Sequence, residues 1–177
     1  MSGLILPGDK AFIYPDARTQ EQIDAHVAAS DPHTGYVLES AIGWQDWVPT
    51  YTNLNIGSTG TTVARYRLIE GRVEFRWEVI LGGTGISVGD VRISLPVTAV
   101  STGYTVLTSP LGLANLLETG VANYAGRALY AGTTEFAIRY ENTATAPSIR
   151  LHPLTSTIPF TWAADDSLSS EGWIEAA

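Results

Sequence analysis

The stretch TTVARYRLIEGRVEFRWEVIL, residues 61–81, constrains the fold more than any other part of the chain. Val73, Phe75, Trp77, Val79 and Leu81 take every second position, and Arg72, Glu74, Arg76 and Glu78 take the positions between them. Successive side chains of an extended strand point to opposite faces, so this spacing predicts one apolar and one charged face. Upstream, Ala64, Tyr66 and Leu68 alternate with Arg65, Arg67 and Ile69, and Glu70-Gly71 supplies a tight turn between the two runs. One face belongs to a core. The other carries alternating signs that suit solvent, cross-strand ion pairs or a polar subunit seam.

The rest of the chain after about Gly35 repeats this style in shorter pieces. GGTG at 82–85 breaks the alternation, and DVRISLP gives a short strand ending near Pro96. Further strands are expected at Tyr104–Thr108, Val121–Ala131, Glu135–Tyr140, Ser148–Leu151 and Trp173–Ala176. The leucines between 111 and 117 fit either a helical turn or an inserted loop, since Pro110 and Gly112 accompany them. Many short strands with no long helix between them favour two packed antiparallel sheets over a parallel α/β sheet. Before this region one segment reads as a helix: Thr19 caps it with Gln22 at N3, Ile23 and Val27 follow a helical face, and Asp31-Pro32 stops it. So short and narrow a helix is marginal alone and gains stability by docking, for instance against copies of itself. The expected division is an N-terminal attachment and helical segment, 1–35, and a β-sandwich domain, 36–177.

Composition excludes several functions. Hydrophobic residues make up 45% of the 177 and charged residues 16%, which suits a packed core. The net charge of −8 repels phosphate at long range, so neither nucleic acid nor an anionic membrane is an expected partner. The interleaving of Glu70, Glu74 and Glu78 with Arg65, Arg67, Arg72 and Arg76 points the same way. No apolar run is long enough for a membrane helix. The chain has no cysteine, which removes disulfides, thiolate metal sites and cysteine nucleophiles. His26, His33 and His152 are the only histidines. A metal at His33 requires additional ligands or symmetry-related copies, such as three His33 side chains converging on the axis of a trimer, and a capped turn, a water contact or ordinary packing is the favoured alternative, so neither a metal nor a cofactor is expected. GTGISVG lacks the lysine of a phosphate loop. Asp165-Asp166 reads as a solvated turn, and no serine has a located base, so no enzyme is expected.

Aromatic side chains offer a better functional surface, because an indole or phenol ring packs on the C–H face of a sugar while nearby amides and hydroxyls bind its hydroxyl groups. Trp44, Trp47, Tyr51, Tyr104, Tyr124, Tyr130, Trp162 and Trp173 are spread through strands and loops, whereas Tyr66, Phe75, Trp77, Phe136 and Tyr140 alternate like core residues. In a regular strand Trp44 and Trp47 point to opposite faces.

Four motifs in order, DPHTGYV, WQDWVPTY, TVARYRLIEGRVEFRWEVIL and PFTWAADDSLSSEGWIEA, resemble bacteriophage or prophage receptor-binding tail proteins of actinobacterial type. Asp31, Pro32, His33 and Tyr36 carry the first, Trp44, Trp47, Pro49 and Tyr51 the second, and Pro159, Phe160, Trp162, Asp165, Gly172 and Trp173 the last. The resemblance implies a homotrimer in the virion tail, whose N-terminal segment joins other tail or baseplate proteins. It also implies a distal jelly-roll-like domain that meets the host surface. The expected function is a noncatalytic adhesin for a host cell-surface or cell-wall polysaccharide. The alternative is a structural virion protein, a baseplate accessory or decoration, that binds protein. Candidate ligand contacts are Trp44, Asn53, Tyr104 and Tyr130, with Asn115 and Asn123 as an alternative assignment.

Overall fold

The computed structural model describes residues 43–142 and 150–177. The helix expected after Thr19, the segment 1–35 that contains it, His33, Tyr36 and Ser148 lie outside the described residues. The ten strands described are β1 (Gln45–Asp46), β2 (Tyr51–Asn55), β3 (Thr61–Ile69), β4 (Arg72–Ile80) and β5 (Ser87–Ser94), then β6 (Pro110–Glu118), β7 (Ala122–Tyr130), β8 (Glu135–Asn142), β9 (Arg150–Pro153) and β10 (Ser167–Glu175). All pairs are antiparallel. The fold is mainly β, as expected, but its strands run as one continuous sheet in the order β1-β3-β4-β10-β6-β7-β8-β5-β2, with β9 added to β8.

The sheet curls until its own inner face becomes the core. Strands β10, β6 and β7 separate β4 from β8, yet the rings of Phe75 on β4 and Phe136 on β8 lie 4.9 Å apart, and Trp77 meets Phe136 edge-on at 6.4 Å. All three residues are at most 2% exposed. The sequence supplies the room for this bend. Cross-strand registers put Phe75 beside Gly172, Gly112 and Ala128 in one row, and Trp77 beside Ser170, Ala114 and Gly126 in the next. Large rings on β4 therefore face the smallest side chains of the middle strands, and the sheet can close over them. A methyl group added at Gly172 would sit 2.5 Å from the Leu111 carbonyl oxygen and 3.0 Å from Phe75 Cζ, closer than packed atoms tolerate. Ser170, the polar member of the row, is satisfied by donating to the Leu113 carbonyl at 3.0 Å.

The β3–β4 pairing follows the alternation read from the sequence. Val73, Phe75, Trp77, Val79 and Leu81 are buried, and Glu70-Gly71 turns with φ of 49° and 78°. Positive φ at both central residues is the geometry of a two-residue hairpin loop whose twist matches its strands. Tyr66 and Tyr140 pack partly buried against the core rather than within it, and Leu68 is exposed.

Other expectations need correction. Tyr104–Thr108 is a series of turns, not a strand: Thr105 accepts from the Thr108 and Ser109 amides, and Leu107 has φ 57°. Local hydrogen bonding overrides the strand preference of Tyr, Thr and Val there. The leucines of 111–117 form neither helix nor loop but strand β6. A register shift between Pro110 and Gly112 reverses the side-chain parity, so Leu111 and Leu116 face inward while Leu113 faces out. The last strand starts at Ser167, six residues before Trp173; Ser170 and Gly172, lying inward between buried Leu168 and Ile174, interrupt the apolar alternation that would have marked its start. Asp166, expected in a solvated turn, is buried, where its carboxylate accepts from the amides of Thr119 at 3.0 Å and Ala163 at 2.7 Å.

Candidate functional site

The outer face of β3, β4, β10, β6 and β7 carries the residues that alternate with the core. Registers align Val63, Glu78, Ser169, Asn115 and Ala125 in one row, and Arg65, Arg76, Glu171, Leu113 and Arg127 in the adjacent row. Short side chains at Ser169 and Ala125 lie among longer ones and leave an open hollow of about 720 Å³. Val63 and Leu113, 60% and 59% exposed, are its apolar part; Asn115, Asn123, Glu78 and Glu141 are polar groups lining it. A smaller hollow of about 310 Å³ shares Arg76, Leu113 and Glu171 with the first and adds Trp44, Glu74 and Trp173. The two form one shallow surface that runs along the strands.

Charges on this surface are mostly paired. Arg65 Nε reaches Asp46 at 3.0 Å, Arg67 Nε donates to Glu74 at 2.7 Å, Arg76 lies 3.8 Å from Glu171, and Arg127 pairs with Glu141. Exposed pairs of this kind add little stability but fix side-chain positions. The guanidinium groups of Arg67 and Arg76 each lie 4.9 Å from the centre of the Trp44 ring, and that of Arg72 lies 4.0 Å from Trp173. Glu78, Asn115 and Asn123 differ. Among the described residues their side chains make neither a hydrogen bond nor an ion pair.

A second polar cluster lies elsewhere on the sheet. Buried Arg139 donates to Asp90, and Arg92 pairs with Glu135 at 2.8 Å. The hydrogen bond to Glu135 holds the Arg92 guanidinium more firmly protonated than an ordinary arginine. These groups satisfy one another and form a structural clasp between β5 and β8. Tyr124, on β7, donates to Glu118 at 3.0 Å; that bond and then burial raise its pKa above the usual tyrosine value.

Of the six candidate contacts, the structure brings together Trp44, Asn115 and Asn123 on the outer surface. Asn53 is exposed but lies on β2, at the opposite end of the strand order, where φ of 58° forms a bulge and its amide donates to the Asp90 carbonyl. Tyr130 is not an exposed ring: it is 4% exposed and stacks on Tyr104 at 5.0 Å. Tyr104 itself packs partly buried on the core, and its hydroxyl accepts from the Glu175 amide at 3.2 Å. Trp162 is also buried, within a group of rings that includes Phe160 and Tyr124. Trp44 and Trp47 do fall on opposite sides, Trp47 packing edge-on to Tyr66 at 6.5 Å. Glu78, Ser169 and Leu113 were missed as site residues. Only Glu78 had a readable signal, its place on the charged face of β4.

Among the described residues no group of three or more His, Cys, Asp or Glu is arranged to hold a metal ion, and no helix is long and apolar enough to cross a membrane. Comparison with protein-family models, curated proteins and solved structures finds no match to this chain.

Proposed function

We propose that this chain is a noncatalytic surface-recognition protein: a trimeric phage or prophage tail adhesin that binds a host cell-surface or cell-wall glycan through its outer sheet face. The observation that carries the proposal is the open hollow itself. It combines exposed apolar side chains with the unpartnered Glu78, Asn115 and Asn123, and an indole stands at the end marked by Trp173. Such a surface offers ring packing and hydroxyl recognition without enclosing a reaction centre. The tail context comes from the four sequence motifs. In that context the two limbs of the curled sheet act as the leaves of a jelly-roll-like sandwich, and residues 1–35 join the tail. Three copies around an axis multiply a weak site into useful avidity when receptor spacing permits simultaneous contact.

A specific observation favours a second function, that of a structural virion protein: Val63 and Leu113, on β3 and β6 of the same outer face, are largely exposed among paired charges, which also suits a protein partner. The deciding experiment measures binding of the purified, mass-defined oligomer to intact actinobacterial cells, isolated wall polysaccharides and purified tail proteins. Binding to cells and polysaccharide, lost in a Trp44→Ala/Trp173→Ala variant, supports the adhesin. Attachment to tail proteins alone supports the structural protein. Time-dependent shortening of the polysaccharide, abolished by Glu78→Gln, replaces binding with hydrolysis.

A further inference from the structure

We infer that the ligand of the outer hollow is a hydroxyl-rich glycan without net negative charge, lying along the strands from Trp173 toward Asn123, with Glu78 as the residue that sets this preference. The inference rests on the glycan-binding proposal above and narrows it to a chemical class.

Charge on the surface decides the class. Each arginine at the main hollow already faces a carboxylate: Arg65 faces Asp46, and Arg76 faces Glu171. Glu141 is likewise matched, by Arg127. Glu78 alone among the ionic groups of the main hollow has no counter-ion among the described residues, so that hollow presents one uncompensated negative charge, within a chain of net charge −8. Within the main hollow a polymer bearing phosphate or carboxylate groups would meet repulsion from Glu78 and would have to draw Arg65 or Arg76 away from its partner; Arg72, a cation without a carboxylate partner among the described residues, lies outside that hollow over Trp173. A neutral sugar meets neither obstacle.

The hydrogen-bonding inventory agrees. A sugar hydroxyl both donates and accepts. Ionised Glu78 accepts through two oxygens, while Asn115 and Asn123 each offer a carbonyl and an NH2. These groups are unpartnered and exposed, so a ligand gains their bonds without breaking internal ones. At the other end Trp173 is 42% exposed, leaving ring surface beyond that covered by Arg72. Trp173 lies four residue steps along strand β10 from Ser169, roughly 13 Å at the rise of a strand. That length matches several linked sugar rings rather than one.

The test uses the full chain and matched polymers: immobilised neutral glucan, mannan, galactan and arabinan, each beside its own carboxymethylated form, at about 20 mM and about 500 mM salt. The expected result is binding to at least one neutral polymer, changed less than about twofold by salt and weakened at least roughly tenfold by carboxymethylation. Glu78→Lys should reverse the preference, restoring binding to the carboxymethylated form in a salt-sensitive way. Stronger binding of the wild-type chain to carboxymethylated polymers, falling steeply with salt, overturns the inference but leaves glycan binding intact. Failure to bind any polymer of either kind overturns both.

Discussion

Replacing Phe75 and Phe136 by leucine, singly and together, tests the curl of the sheet from which the outer surface takes its form. Both rings are essentially inaccessible, and each substitution removes three side-chain carbons from the core, costing roughly 2 kcal/mol at ~0.8 kcal/mol per buried carbon. The informative quantity is their coupling. In a flat sheet the four steps from β4 through β10, β6 and β7 to β8 span about 19 Å, and two substitutions that far apart add. In the curled sheet the rings touch at 4.9 Å, tilted by 32°, and such an aromatic pair contributes about 0.5–1.5 kcal/mol beyond the area it buries. The double variant is therefore expected to lose less stability than the sum of the singles, by that amount. Urea unfolding followed by tryptophan fluorescence, with linear extrapolation and an unchanged slope, measures all four corners of the cycle. Additivity within about 0.3 kcal/mol would show that the strands do not face each other, and the reasoning from small residues on the middle strands would fall with it.

Three further outcomes are expected. Asp166→Ala should destabilise the fold by about 1–3 kcal/mol in urea unfolding, because it leaves the Thr119 and Ala163 amides without their acceptor. Trp44→Ala/Trp173→Ala should reduce binding to cells and polysaccharide at least roughly tenfold while changing unfolding stability by less than about 1 kcal/mol, since both rings lie outside the core. The Tyr124 phenol should ionise above the ordinary tyrosine value of about 10, and Glu118→Gln should bring it back toward that value in an ultraviolet titration. Because the folded-state pKa is the raised one, this contribution to stability is fully present below the unfolded value and is lost as pH rises through the folded one.

What could be read in the sequence depended on whether inward positions carried large apolar side chains in unbroken alternation. Strand β4 meets that condition at five successive inward positions through Leu81, and its face assignment follows directly. Strand β10 breaks it with Ser170 and Gly172, residues chosen by the bulk of Trp77 and Phe75 on the neighbouring strand, a relation that no local window contains. Strand β6 breaks it with a parity change at its register shift. The site inherits the same division. Trp44, Asn115 and Asn123 were identifiable as residue types that bind sugars, but their convergence depends on β10 lying between β4 and β6. Tyr104 and Tyr130 were misleading for the converse reason: a ring that looks available in sequence had a stacking partner 26 residues away.

Hydroxyl-radical footprinting of the chain with and without its bound wall polysaccharide tests most directly whether the outer face is the recognition surface. Trp44, Trp173, Val63 and Leu113 should lose reactivity in the complex, whereas exposed Val48, Val106 and Leu151, which line neither hollow, should keep theirs. Protection at Val48, Val106 or Leu151, with Leu113 and Trp173 unchanged, would place the ligand elsewhere and contradict the assignment.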